Sequence, residues 1–216
     1  MGSAHDYAYT YAPGALLKDR INLAPRGKVL GGSGSINAMM WARGTQHDYD
    51  SWAAAGNPGW DYESVLPLFR QIEDWEGGAS AFHGAGGPIA IENIKDPHPL
   101  IAAFSDSCLA MGMPLLDDMN GQSPQGVGPM SVNFRENRRS SPTAYLKLPS
   151  ISVKQNLTIL TNTKALKLQL TGSHCTGVEL LRNGEIMIIE AAREVVLSAG
   201  AIEYPIWALF IIKTGM

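Results

Sequence analysis

Cysteine is scarce in this sequence, which contains only Cys108 and Cys175 among its 216 residues. The two do not form a Cys-x-x-Cys pair, so their spacing indicates neither a disulfide framework nor a structural zinc site. The five histidines also lack the spacing of metal ligands, and we predict no metal site. A chain with so few thiols favours a reducing, cytoplasmic setting.

Long apolar runs and basic runs are also missing. The longest apolar run, residues 206–212, is far too short to cross a bilayer, so we predict no transmembrane segment. Residues 1–5 lead into polar and aromatic sequence without the apolar segment of a secretory signal peptide. The net charge is −3 and no stretch is basic, which argues against nucleic acid as the partner.

What the chain does contain is enough apolar sequence for a packed core, with 45% hydrophobic and 17% charged residues. Ser35 can cap a helix over residues 36–43, and Asp61 can cap a second helix with one apolar face. A third helix is predicted over residues 99–111, where Gly112 is placed to end it.

Strand patterns are concentrated in the last third of the chain. Leu166, Leu168 and Leu170 alternate with polar residues, which predicts a half-buried strand. Asn183-Gly184 predicts a tight hairpin because both residues tolerate positive φ. The strands predicted here cover residues 157–160, 166–170, 178–181, 186–189 and 194–197. We therefore predict a mixed fold, α/β or α+β, with segments from both ends of the chain meeting in one sheet.

The loop over residues 27–35 is the segment most suggestive of a ligand. Arg26 and Lys28 precede a run of glycine and serine, and a helix is predicted to follow. Glycines let backbone N–H groups approach an anion, so phosphate or pyrophosphate would suit this loop. An ordinary turn-rich connection explains the same composition. The segment is no P-loop, because Lys28 comes before the glycines.

Candidate acid–base pairs are weak in this sequence. Glu73-Asp74 and Asp117-Asp118 are adjacent in the chain, and adjacent side chains in a helix or strand point apart. We interpret both pairs as solvated faces. No arrangement of nucleophile, base and orienting group is predicted from the residues.

Several motifs resemble, in order and spacing, those of one known family. Residues 25–39 look like the first signature of the glucose–methanol–choline (GMC) oxidoreductases. Further similar motifs are Arg43-Gly44, Asp48-Tyr49, Gly59–Tyr62, His83-Gly84, Gly87-Pro88 and residues 117–121, 126–128, 139–146, 155–160 and 194–202. The resemblance covers nearly all of residues 7–202 and is to the choline-dehydrogenase-like and alcohol-dehydrogenase-like branch.

The resemblance implies a fold in which the FAD-binding domain is assembled from separate segments. Residues 1–50 and 151–216 would form part of that domain, and residues 51–150 would form a linking or substrate-domain segment. The residues implied to contact FAD are Val29, Gly31, Gly32, Asn37, Ala38, Met39, Met40 and Ala165. Ile36 stands where some family members carry a histidine bonded to flavin, which implies that FAD is held non-covalently.

The implied activity is oxidation of a small alcohol, choline-like or another primary alcohol or polyol, to an aldehyde by hydride transfer to flavin. We expect this chain to be a central fragment, with the family's GxGxxG unit and catalytic histidine outside it, so no catalytic residue is assigned. After Ile202 the sequence departs from the family's second signature. The missing segments would come from another chain, or the fragment would hold flavin without turnover.

Overall fold

The computed structural model describes residues 2–12, 14, 18–122, 125–135, 137–138, 142–146 and 154–203. The chain divides into two compact units, residues 1–154 and 155–216. Each unit combines local turns with regular elements, and the mixture of helices and strands agrees with the predicted mixed fold class. Among the described residues, no helix is long and apolar enough to cross a membrane.

The first unit contains the helices α1 (Gln46–Ala54), α2 (Tyr62–Ile72) and α3 (Pro99–Ala110). The predicted cap of α2 is confirmed, since the Asp61 carboxylate accepts the Ser64 N–H at 3.0 Å. The predicted end of α3 is confirmed as well, with Gly112 at a φ of +85°. Helix α1 was not predicted, although Thr45 and Asp48 form a capping box at its start.

Short strands and one small sheet make up the rest of the first unit. The strands are β1 (Tyr9–Thr10), β2 (Leu23–Ala24), β3 (Glu73–Trp75), β4 (Ile89–Asn93), β5 (Ser131–Val132), β6 (Phe134–Arg135) and β7 (Asn137–Arg138). β1 pairs with β2, and β6 with β7, both antiparallel. In the sheet β3–β4–β5, β4 runs parallel to β3 and antiparallel to β5.

The core of the first unit is centred on β4. Ile91 is fully buried, and together with Ile89 and Ala144 it forms the buried apolar cluster. Trp41 and Trp75 pack against this cluster from partly buried positions. Through the indole of Trp41, the chain that follows the glycine loop (residues 27–35) therefore packs directly on the core.

The second unit contains an antiparallel meander of β8 (Thr163–Thr171), β9 (His174–Arg182) and β10 (Glu185–Glu190). The predicted hairpin is confirmed, with Asn183 and Gly184 at φ values of +53° and +85° between β9 and β10. Both residues have positive φ, as a two-residue hairpin turn requires.

Three predicted elements are absent. Residues 157–160 and 194–197 are not strands, because a strand needs a hydrogen-bonding neighbour and no described strand pairs with either segment. Three of their apolar side chains are exposed, with Leu157 at 45%, Ile159 at 47% and Val196 at 75%. The helix predicted over residues 36–43 is also wrong, since that stretch is a turn followed by extended chain.

Replacing Gly184 by alanine tests the hairpin. Because alanine at positive φ is strained, we expect Gly184→Ala to lower the free energy of unfolding by about 1–2 kcal/mol. Urea denaturation followed by circular dichroism measures the change. Ser173→Ala, in the exposed turn between β8 and β9, serves as the control and should leave the unfolding midpoint unchanged. Equal midpoints for Gly184→Ala and the control would contradict the turn geometry.

Candidate functional site

The glycine loop is a tight turn followed by a short 3-10 helix. Gly31 and Gly32 have φ values of +91° and +54°, which glycine adopts without steric cost. The 3-10 helix covers Gly32–Ser35, and the Ser35 hydroxyl donates to the Leu30 carbonyl at 2.8 Å. The loop therefore closes on itself through its own backbone and hydroxyl groups.

The base of the loop is held by the preceding chain. A side-chain carbon on Gly27 would lie 2.2 Å from the Gly32 carbonyl oxygen, so only glycine fits there. The Asp6 carboxylate accepts the Arg26 N–H at 3.0 Å, and hydrogen bonds from the Ala8, Gly2 and Arg26 N–H groups lower the pKa of Asp6. These contacts fix the start of the loop.

The helix expected after the loop is replaced by a side-chain turn. The Asn37 side-chain oxygen accepts the Met39 N–H at 3.0 Å, and Met39 has a φ of +63°. Such local hydrogen bonds compete with helix formation. Because no helix begins at Asn37, no helix N-terminus follows the loop to support an anion.

The residues implied to contact FAD fall in both units. In the first unit, Val29, Asn37, Ala38 and Met40 are exposed, and Gly31, Gly32 and Met39 are half-buried. In the second unit, Ala165 is exposed on β8. Seven of these eight residues therefore share one loop region, and their contact with a cofactor stays a prediction.

One face of the glycine loop borders a cavity of about 330 Å³. The loop contributes Ser33, Ile36 and Asn37, and the preceding chain contributes Asp6 and Arg26 among others. The glycine loop and the residues that follow it therefore face a cleft on this side. A side-chain carbon on Gly32 would meet no heavy atom within 4 Å, so the backbone there is open to a ligand.

A buried charged cluster lies behind the chain that leaves the loop. The Glu73 carboxylate is completely buried and accepts hydrogen bonds from Arg43 Nη2 at 2.8 Å and Trp41 Nε1 at 2.9 Å. It also accepts the Gly84 N–H at 3.1 Å and lies 3.0 Å from His83 Nδ1. A buried carboxylate needs this number of donors to offset the loss of water.

His83 bridges two carboxylates. Its Nε2 lies 2.8 Å from Asp118 Oδ2, opposite the contact with Glu73. Because an ionised carboxylate only accepts hydrogen bonds, we assign both ring nitrogens as donors and His83 as the imidazolium. The Trp75 ring stacks on His83 with centroids 4.6 Å apart. Arg43, His83, Glu73 and Asp118 then form a neutral set of two cations and two anions.

The pKa values follow from these contacts. Burial alone would lower the pKa of His83, but the hydrogen bonds and charges of Glu73 and Asp118 outweigh burial and raise it. Burial alone would raise the pKa of Glu73, but the His83 hydrogen bond, the Arg43 charge and the Gly84 N–H lower it. Both groups are therefore held in their charged forms.

The interpretation of Glu73 and Asp118 as solvated residues is wrong. Glu73 is fully buried and Asp118 partly buried, whereas Asp117 is exposed as predicted. A search for charged residues that are neighbours in the sequence could not reveal the cluster, because its members are spread over positions 43 to 118. The one local signal was the position of Glu73 between the apolar Ile72 and Trp75, at the start of a strand.

The cluster fixes the exit of the glycine loop. Asn120 Nδ2 donates to the Trp41 carbonyl at 3.0 Å, and the Arg43 N–H donates to Asn120 Oδ1 at 2.9 Å. With Trp41 and Arg43 also bound to Glu73, both the backbone and the side chains of this segment are anchored. The loop is thus a short exposed segment held at both ends, as a ligand-binding loop on a rigid scaffold is.

The same loop has surface properties that fit a large planar ligand with a charged tail. Val29, Leu30 and Met40 expose 39%, 50% and 61% of their surface, and the backbone of Gly32 is open. Ligand sites combine such apolar surface with a few backbone polar groups. The residues present therefore fit a flavin dinucleotide.

Sequence comparison identifies the family. The GMC oxidoreductase family profile matches residues 8–207, and this chain belongs to the GMC oxidoreductases. Human choline dehydrogenase, a mitochondrial protein, is 40% identical over 190 residues, covering 88% of this chain and 32% of that protein. Oxygen-dependent choline dehydrogenase of Brucella anthropi is 37% identical over 206 residues, covering 93% of this chain and 36% of that protein.

Solved structures agree with this assignment. Pyridoxine 4-oxidase from Mesorbium loti superposes with a TM-score of 0.89 at 32% identity, covering 94% of this chain and 40% of that one. An FAD-dependent oxidoreductase from Chaetomium thermophilum has a TM-score of 0.83 at 25% identity, with coverages of 91% and 37%. The chain spans about a third of the length of the two choline dehydrogenases.

Because of the charged cluster, we expect the stability of the fold to decrease both when the pH rises and when it falls. The raised pKa of His83 stabilises the fold fully below 6.5, and this contribution is lost as the pH rises through the folded-state value. The lowered pKa of Glu73 stabilises it fully above 4.5, and this contribution is lost as the pH falls through the folded-state value. We expect the cluster to contribute fully between these two limits, as thermal unfolding at a series of pH values would show.

Replacing His83 by glutamine separates the two limbs of that profile. We expect His83→Gln to lower the free energy of unfolding by about 3–5 kcal/mol between the two limits, because it removes the cation of a buried ion pair, and to abolish the loss of stability at rising pH. His47→Gln, at an exposed position on α1, is the control and should keep the profile of the unchanged chain. If His83→Gln still loses stability as the pH rises, that loss belongs to another titrating group.

Proposed function

We propose that this chain forms the flavin-contacting loop region of a GMC enzyme that oxidises a choline-like or other primary alcohol to an aldehyde. The observation that carries the proposal is the open glycine loop, anchored at both ends, in a chain of this family. The choline dehydrogenases among its relatives support an alcohol as the substrate class. When bound, FAD would supply the hydride acceptor.

The cofactor-binding residues that we propose are Val29, Gly31, Gly32, Asn37, Ala38, Met39, Met40 and Ala165. Gly31 and Gly32 would bring backbone close to the cofactor, and Val29 and Met40 would cover apolar ring surface. Ile36 has no group that could bond covalently to flavin, so binding would be non-covalent. We also propose that residues 1–50 and 151–216, which include Ala165, belong to the FAD-binding domain and that residues 51–150 form a linking or substrate-domain segment.

A second candidate is a flavin-binding module without turnover. It is favoured by the extent of the match, since the chain spans about a third of the length of the choline dehydrogenases. In this case the chain binds cofactor weakly and oxidises no alcohol unless another chain completes the site.

We also propose a cytoplasmic location for the protein.

Substitution of Gly32 tests the proposed cofactor loop. We expect FAD to bind the chain weakly, and Gly32→Ala to weaken it at least about tenfold further by adding a methyl group on the open face. The matched control is Gly172→Ala, since Gly172 has a φ of +59° and equally open surroundings in the β8–β9 turn. Titration calorimetry with FAD measures both. If Gly32→Ala and Gly172→Ala weaken FAD binding equally, the loop is not part of the binding site.

Acid precipitation distinguishes non-covalent from covalent flavin. We expect the flavin of FAD-loaded protein to remain in the supernatant, because Ile36 offers no bonding group.

Anaerobic addition of choline then separates the two candidate functions, since turnover bleaches the visible flavin absorbance and simple binding does not. Flavin in the pellet would contradict the non-covalent proposal, and bleaching would exclude the module without turnover.

A further inference from the structure

Met39 adopts a backbone conformation that its residue type disfavours. Its φ of +63° lies in the left-handed region, which side-chain-bearing residues occupy at a disadvantage of about five- to thirty-fold. Asparagine tolerates this region through local hydrogen bonds, but methionine has no such group. Met39 must therefore be held there by its neighbours.

Two hydrogen bonds hold Met39 from opposite sides. Its N–H donates to the Asn37 side-chain oxygen at 3.0 Å, which closes a turn within the loop. Its carbonyl oxygen accepts the Asn133 N–H at 2.8 Å. The backbone groups on both sides of the strained residue are thus fixed.

The contact with Asn133 connects the turn to the sheet. Met40 forms a bridge with Val132 of β5, and the Trp41 N–H donates to the Ser131 carbonyl at 2.8 Å. Ser131 is buried, and its hydroxyl donates to Asn93 of β4 at 3.1 Å. The chain after Met39 is therefore committed to β5, and the turn at Asn37 redirects it from the glycine loop.

We propose that Asn37 is a positioning residue for the flavin site, acting through the left-handed conformation of Met39 and not through a side-chain contact with the cofactor. This inference rests on the proposed function. The Asn37 side-chain oxygen accepts the Met39 N–H, which couples this side chain to the backbone conformation of residues 38–40. Residues that store backbone strain in this way are concentrated at ligand sites.

The first experiment uses the chain without cofactor and compares Met39→Gly with Met39→Ala. Glycine normally destabilises relative to alanine, but at a left-handed position the order is reversed. We expect Met39→Gly to have an unfolding equilibrium constant about five- to thirty-fold more favourable to the fold than Met39→Ala. In an Asn37→Ala background this advantage should shrink, because the turn relaxes when its acceptor is lost. An absent advantage, or one independent of residue 37, overturns the proposal.

The second experiment measures FAD affinity by titration calorimetry in the same variants. We expect Asn37→Ala to weaken binding about tenfold and Asn37→Ser, whose hydroxyl can make the same turn, to retain most of it. The double variant Asn37→Ala with Met39→Gly should recover the affinity, because glycine adopts the conformation unaided. No recovery would indicate a direct side-chain contact, and unchanged affinity in Asn37→Ala would indicate a purely structural residue; either result overturns the proposal.

The two experiments separate this inference from the proposed function. If the unchanged chain binds no FAD but the advantage of Met39→Gly depends on residue 37, the structural role of Asn37 is supported and the proposed function is overturned. If FAD binds and the coupling is absent, the function stands and the role of Asn37 is overturned.

Discussion

The buried carboxylate of Glu73 is the interaction on which the first unit depends. It accepts hydrogen bonds from Trp41, Arg43 and Gly84 and pairs with His83, so two separated segments, residues 41–43 and 83–84, meet at one side chain. Such a group is costly to bury alone and stabilising only when every partner is in place. Removing one partner leaves the buried Glu73 carboxylate with an incomplete set of donors, which costs free energy.

This cluster reaches the surface through the chain that leaves the glycine loop. Trp41 and Arg43 are fixed by Glu73 and Asn120, while Asp6 fixes the opposite end of the loop at Arg26. Between these anchors the backbone is exposed and partly strained. A loop preorganised in this way loses little conformational freedom when a ligand binds, so more of the contact energy remains for affinity. The buried charges thereby contribute to the proposed binding surface without contacting it.

Local signals in the sequence were reliable where one short segment decides its own structure. The Asp61 cap, the end of α3 at Gly112 and the Asn183-Gly184 turn were all predicted, because each depends on contacts within a few residues. The strands expected over residues 157–160 and 194–197 failed because strand formation requires a partner. The helix expected after Ser35 failed because Asn37 uses its side chain to turn the backbone towards β5.

The sequence by itself determined the family, since the motifs extending over residues 7–202 resemble the GMC oxidoreductases and the family profile matches residues 8–207. It also determined the caps, the hairpin and the glycine loop, which are properties of neighbouring residues. Only the tertiary structure decided that Glu73 is buried, that His83 is charged between two carboxylates and that Met39 is held at positive φ. Burial and charge pairing join residues tens of positions apart, and their energies exist only after the chain has brought those residues together.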